Sequence, residues 1–366
     1  MKKFSDAITV AAFLMILLMF ALSTVFFQNN ASFAEVYSDC GSVSETVQEF
    51  VRLNFPMSSN WRNLYASLLV NSGRVQFDNI YLAGDRLVKL DDEDRSERIA
   101  ANVEQINAFA EGLDQSLYIM LCPTAAGIYR ADLPGYVSQN DEKERINNVY
   151  MMLDKKNVSI DAFYPLYSAR DEYVYYRTED LWTPFGAYYA YCESVRQLGL
   201  KAQKMDNYDQ EYAISSFTGS LYSKAMYEGI APDRINIFRS KYQSPVTSVE
   251  LFDGDESRTA ESVYFRSALK TSAKTDVFLL GDRYERVDVK TDLEGSPSLL
   301  IIKGSYANTL VPFYTPHFSR ITVVDPARLK KNKRSLSDVV DLSEYDQILI
   351  MFDIDSFSKN SSFDVL

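Results

Sequence analysis

The chain has 366 residues, 46% hydrophobic and 24% charged, a composition that supports a large buried core and excludes a disordered or collagen-like chain. Its 50 acidic and 38 basic residues give a formal charge of -12 with no compensating basic run, which argues against a nucleic acid as partner. A single histidine in the whole sequence leaves few routes to a His-based triad and excludes a multi-histidine metal site, so no metal or cofactor is expected.

The first element is apolar. Residues 7–27, AITVAAFLMILLMFALSTVFF, form a 21-residue run that at about 1.5 Å per residue matches the roughly 30 Å of a bilayer core. Lys2 and Lys3 precede it, which places the N-terminus in the cytoplasm and the rest of the chain outside. The length favours an uncleaved single-pass anchor over a cleaved signal peptide, although Ser32 and Ala34 leave a weak cleavage site. The expected division is a tip, anchor and linker over 1–34 and an extracytoplasmic domain over 35–366. Cys40, Cys122 and Cys192 are far apart, with no CxxC pair to suggest a zinc ribbon or a disulfide framework.

After a polar linker at 28–41, residues 42–73 read as two amphipathic helices interrupted near Pro56, with Ser58, Ser59 and Asn60 as the second cap. Residues 74–90 alternate as a hairpin turning at Gly84-Asp85. The chain then runs helix (97–113), strand (116–123), helix (142–156) and strand (158–161), the alternation of a parallel α/β sheet. A strand at 173–178 and a helix opening at Thr183-Pro184 follow. Residues from about 200 to 295 read as a β-rich insertion or lid. The pattern resumes with strand 297–303, helix 305–314, strand 320–325, helix 336–342 and strand 346–354. The expected fold is a three-layer α/β/α with a mostly parallel sheet, a β-rich insertion and an N-terminal transmembrane helix.

Ligands of open α/β sheets bind where strands run into helices. At LLIIKGSYAN, residues 299–308, Gly304-Ser305 sits on such an elbow, where Ser305 is either a nucleophile beside free helix N–H groups or simply a helix cap. At YYRTEDLWTPFGAYYAY, residues 175–191, Glu179 and Asp180 lie between a strand and a helix, where carboxylates favour the helix dipole. Trp182 and the neighbouring tyrosines read as packing first and as a sugar platform second.

These two junctions, together with DNIYLAGDRLV (78–88), MLCPTAAGIY (120–129), FTGSLYSK (217–224) and LLIIKGSYANTLVPFYTPHFSRITVVD (299–325), resemble the DHHW protein family of Gram-positive bacteria. That family is a branch of the SGNH hydrolase-like superfamily, akin to the alginate O-acetyltransferase proteins. The resemblance implies that Asp-His-His-Trp supplies an acid at its first position and a base at its third. A serine within Asp-Ser-Tyr is the nucleophile. Carried onto this chain, Ser305 takes the nucleophile position and Trp182 the signature tryptophan. Glu179 stands at the acid position, Asp180 replaces the first His, Leu181 replaces the base, and Gly304 replaces the Asp before the serine. Asp180, Trp182, Gly304, Thr124 and Asn308 are the substrate-binding candidates, with the N–H groups around Gly304, Ser305 and Thr124 as oxyanion donors.

Leucine accepts no proton. Removing the histidine of a serine-hydrolase triad costs about 10⁶ in turnover, about 8 kcal/mol of transition-state stabilisation. The one histidine, His317, lies 12 residues beyond Ser305, about 18 Å along a continuous helix, and reads as a loop residue at its far end. Glu179 or Asp180 would be a poorly matched base for a serine hydroxyl.

Three functions follow. The first is a catalytically degenerate binding or accessory module for a cell-surface glycan, with a membrane-bound O-acyltransferase as the partner that the resemblance implies. The second is an active O-acetyltransferase or acetylesterase using Ser305 with a non-standard base, and the third a structural protein of envelope assembly.

Overall fold

A computed structural model describes residues 2–26, 32–39, 42–91, 93–137, 141–242 and 246–366. The chain divides into two compact units, Met1–Val75 with Ala225–Gly229, and Gln76–Lys224 with Ile230–Leu366.

In the smaller unit a 25-residue helix, Lys2–Phe26, covers the apolar stretch expected at 7–27 except for Phe27, which lies outside the described residues. Among the described residues no helix is long and apolar enough to cross a membrane. The polar linker is partly helical, Phe33–Asp39, and its residues 28–31 and 40–41 lie outside the described residues. The helix Val43–Asn54 is capped by Ser42, whose Oγ accepts from the Glu45 N–H at 3.3 Å. The next helix, Ser58–Asn71, differs from expectation at its start. Met57 occupies the cap with a left-handed φ of 57° and no side-chain bond, so residues 58–60 lie within the first turn instead of capping it. Phe20 stacks on Phe55 with ring centroids 5.3 Å apart.

The larger unit begins with the hairpin read from the sequence, Ile80–Ala83 and Arg86–Lys89, joined through Gly84 and Asp85 and flanked by a third short strand, Gln76–Phe77. Its core is an eight-stranded sheet. In chain order the strands are β1 (Leu117–Cys122), β2 (Val158–Asp161), β3 (Val246–Asp253), β4 (Glu256–Ala260), β5 (Arg286–Thr291), β6 (Ser298–Lys303), β7 (Arg320–Val324) and β8 (Gln347–Asp353). The spatial order is β2-β1-β8-β6-β7-β5-β3-β4. The first five in that order are mutually parallel and the last three join antiparallel. Parallel strands covered on both faces must be apolar along their whole length, and β6 and β8 are buried throughout apart from Gln347 at the start of β8.

Three expectations are corrected. Residues 200–295 are not a separate insertion or lid: β3, β4 and β5 extend the central sheet, and only the hairpin Tyr208–Phe217 with Asp233–Ser240 forms its own two-stranded sheet. No strand forms at 173–178. There the chain turns back on itself through an isolated bridge between Tyr175 and Trp182, burying both rings. Residues 336–342 form only a short turn of helix, Leu336–Asp338. The helix that follows β7 is Pro326–Lys331, opened by Asp325, which accepts from the Ala327 and Arg328 N–H groups. The helices predicted at 97–113, 142–156 and 305–314 are present as Ser96–Glu111, Glu142–Met152 and Ala307–Tyr314, and that at Thr183-Pro184 as Pro184–Gln197 with Thr183 as its cap.

Candidate functional site

β6 ends at Lys303, and the chain passes through Gly304, Ser305 and Tyr306 into the helix Ala307–Tyr314. Ser305 thus stands on the strand-to-helix elbow. Its Oγ donates to Asp282 Oδ2 at 2.5 Å. The other oxygen of Asp282 accepts from Asn308 Nδ2 at 2.9 Å and from the ammonium of Lys303. Lys303 is only 3% exposed, and this carboxylate is the counter-ion that lets it sit there. Burial raises the Asp282 carboxyl, but the Lys303 charge and the hydrogen bonds from Lys303, Ser305 and Asn308 outweigh it and bring the pKa down to about 2. The hydroxyl of Ser305 is therefore held as a donor to a carboxylate that stays ionised at neutral pH.

The segment that delivers Asp282 is strained. Leu279, Leu280 and Gly281 have φ values of 52°, 59° and 63°, all left-handed. Such a conformation costs a non-glycine residue about 1–3 kcal/mol, and clusters of it mark places where surrounding structure fixes a functional group. Burial of both leucines offsets the cost. Position 281 favours glycine, because its φ of 63° strains any other residue and a Cβ there would also push on the Asp276 carboxylate.

Gly304 donates its N–H to Met351 O on β8 at 2.7 Å, so it is not an oxyanion donor. A Cβ at this position would meet Phe352 Cδ1 at 2.8 Å, so an Asp before the serine would require Phe352 to move. The N–H groups of Ser305 and Tyr306 belong to the turn ahead of the helix, where the i→i−4 ladder supplies no acceptor.

The second junction meets the elbow through Trp182. This ring is fully buried, its Nε1–H donates to Tyr306 O at 3.1 Å, and it packs on the Tyr306 ring at 4.9 Å. Buried in this way, it offers no face to a sugar. Glu179 turns elsewhere, accepting from the N–H of Ser220 at 2.9 Å and from the Ser220 hydroxyl at the start of the helix Ser220–Ala225. Asp180 pairs with Lys89 Nζ at 3.1 Å. Leu181 is half-buried and packs against the core.

Thr124 is also occupied. Its N–H and hydroxyl both donate to the carboxylate of Glu142 at 2.7 Å, which removes it as an oxyanion donor. Burial, reinforced by the nearby Asp355, pushes the Glu142 carboxyl up. Burial likewise raises Asp353, at the end of β8, to about 6, despite the Ser356 N–H and hydroxyl bonds that lower it.

His317 lies past the far end of the helix Ala307–Tyr314, its Nε2 2.7 Å from the Tyr191 hydroxyl. Burial lowers its pKa to about 4.

The structure therefore brings together Ser305, Asn308 and two residues outside the candidates read from the sequence, Asp282 and Lys303. A signal for the pair was present: a lysine that closes an otherwise apolar, fully buried strand requires a carboxylate. Nothing local named the carboxylate, which comes from 21 residues upstream.

Among the described residues, no group of His, Cys, Asp and Glu is arranged to hold a metal ion. The elbow instead opens on a cleft of about 520 Å³ lined by Ser305, Asp282, Lys303 and Phe352 and by residues from 325–331 and 356–362.

Comparison with known structures agrees with this architecture. A DHHW family protein from Eubacterium siraeum matches with a TM-score of 0.65 at 21% identity, over 80% of this chain and 96% of that one. PatB1 of Bacillus cereus, solved with a sulfonyl adduct, matches with a TM-score of 0.66 at 14% identity, over 78% of this chain and 98% of its own. The O-acetyltransferase domain of Pseudomonas putida AlgJ matches at 0.47 and 13%, over 79% and 95%. No curated protein matches. At these identities the Eubacterium siraeum protein and PatB1, with TM-scores of 0.65 and 0.66, establish the fold alone, and the sequence itself establishes the family, since the DHHW protein profile matches residues 75–324, more than half of the chain. The chain belongs to the DHHW protein family.

Proposed function

We propose that this protein is a catalytically degenerate DHHW module that binds a cell-envelope polysaccharide and serves its O-acetylation or assembly. The observation that carries the reading is the bond from Ser305 to Asp282, a carboxylate brought down to about 2. A group that binds protons so weakly is a poor general base for a serine hydroxyl. Residue 181 is leucine, and the one imidazole is engaged with Tyr191. The reading further takes the apolar stretch 7–27 as a single-pass anchor in the cell membrane of a Gram-positive bacterium, with the large unit outside. A membrane-bound O-acyltransferase is then the partner.

The test is whether Ser305 turns over. Hydrolysis of an aryl acetate by the full-length protein is expected to be the same in wild type and Ser305→Ala, and a sulfonyl fluoride is expected to leave Ser305 unlabelled, in contrast to the adduct found on PatB1. Ser305-dependent turnover would replace this reading with that of an active O-acetyltransferase or acetylesterase.

A further inference from the structure

The cleft beside Ser305 carries an excess of positive charge on a protein whose formal charge is -12. Its ionisable lining is Lys303, Arg328, Lys331 and Lys359 against Asp282 and Asp325. Both carboxylates are already engaged, although Asp282 keeps 45% of its side chain exposed. Asp282 is spent on Lys303, Ser305 and Asn308, and one oxygen of Asp325 accepts from the first two N–H groups of the helix Pro326–Lys331.

The cations at the rim are partly exposed, Lys331 and Lys359 more so than Arg328. Arg328 is anchored by its Nε to Asp282 O at 2.8 Å, and its NH1 is 3.9 Å from Asp253. Lys331, one turn further along the same helix face, is exposed. Lys359 approaches from the last turn of the helix Ile354–Lys359, where Asp91 and Asp355 partly neutralise it at 2.6 and 3.8 Å. Ser356, Ser361 and Ser362 add neutral hydrogen-bonding groups, and Phe352 supplies an apolar wall.

From this arrangement we infer that the elbow cleft recognises an anionic group on the glycan, a carboxylate or a phosphate, with Arg328 and Lys331 as its principal contacts. The inference rests on the glycan-binding reading above and names the class of glycan. On an acidic protein a concave spot whose lining has more cations than carboxylates is where a polyanion gains the most attraction, because a cleft with low-dielectric walls focuses the local field. The cleft volume also lies within the usual range of small-ligand sites, enough for one or two sugar units.

Titration calorimetry on the full-length protein in detergent tests this with a polyuronate, a poly(glycerol phosphate) and a neutral dextran, each at low and high salt. Binding of at least one anionic polymer, weakened by salt and reduced about tenfold in Lys331→Glu, supports the inference, and the two polymers distinguish carboxylate from phosphate. Lys241→Glu, an exposed charge reversal outside the cleft lining, is expected to leave binding unchanged. Dextran binding as tightly as the polyanions would overturn the anionic class while leaving the proposed function standing. Polyanion binding equally weakened by Lys241→Glu, or untouched by Lys331→Glu, would overturn the cleft assignment. Binding of no polymer would overturn both readings.

Discussion

Ser305 gives its proton-bearing hydroxyl to Asp282, and Asp282 is held in place by the buried ammonium of Lys303. Two residues of the elbow thus share one carboxylate that the local motif does not contain. The arrangement explains how the fold retains a serine on its elbow without an imidazole beside it.

The two partners of this ion pair should respond unequally to mutation. Asp282→Asn leaves an ammonium that is 3% exposed with only the more distant Asp325, at 3.9 Å, as counter-ion, whereas Lys303→Met leaves a carboxylate that is 45% exposed. Breaking a buried pair costs about 3–5 kcal/mol, and solvent at Asp282 reduces that here, so we expect about 2 kcal/mol for Asp282→Asn and about 1 kcal/mol or less for Lys303→Met. Denaturant unfolding gives both values, and the reverse order would disprove the assignment. Because the Asp282 carboxyl is lowered from 3.8 to about 2, its contribution is complete above pH 4 and is lost as the pH falls toward 2.

Asp353 carries the opposite sign. A carboxyl raised from 3.8 to about 6 destabilises the fold when ionised, so its cost is absent below pH 4 and complete above pH 6. Asparagine preserves the cap on the Ser356 N–H while removing the titration. Asp353→Asn should therefore gain stability relative to wild type as the pH rises from 4 to 6, by about 3 kcal/mol at most. A flat difference between the two unfolding curves over that interval would refute it.

The single histidine makes its own probe. The wild-type protein should show one imidazole resonance in proton NMR, titrating near pH 4 because of burial. Neutral in the fold and readily protonated when unfolded, His317 costs stability as the pH drops from 6.5 toward 4. This slope opposes that of Asp353, which is why the comparison above is made between variants. A midpoint near the ordinary 6.5 would mean that the ring is solvated and not lodged against Tyr191.

Restoring the family's aspartate before the serine should harm the fold. The new Cβ of Gly304→Asp would lie 2.8 Å from Phe352, and overpacking of this kind costs about 1–3 kcal/mol. Phe352→Leu in the same protein should recover part of the loss, giving a coupling of at least about 0.5 kcal/mol in a double-mutant cycle. Strict additivity would show that the glycine is not there to accommodate the ring.

Much of this was legible beforehand. The parallel strands announced themselves as short apolar runs bounded by helices, because strands covered on both faces tolerate little else. Thr183-Pro184 likewise announced its helix. The antiparallel strands β3 to β5 read as an insertion because they are only partly buried, β4 being exposed almost throughout, and such sequences look the same on a lid as on a sheet edge. The elbow serine was found from its strand-turn-helix context. Its partner was missed because register and loop path, and not spacing, bring residue 282 to residue 305. Thr124 and Gly304 looked like free donors until Glu142 and Met351 proved to be their acceptors.

The three left-handed residues ahead of Asp282 give the site a mechanical property. Burial of Leu279 and Leu280 and the bond from the Leu279 N–H to Val263 O hold the left-handed angles in place, so the carboxylate is presented by a backbone that the core itself fixes. The reach of the elbow's carboxylate is thus set by packing around residues 279–281, outside the serine's own motif.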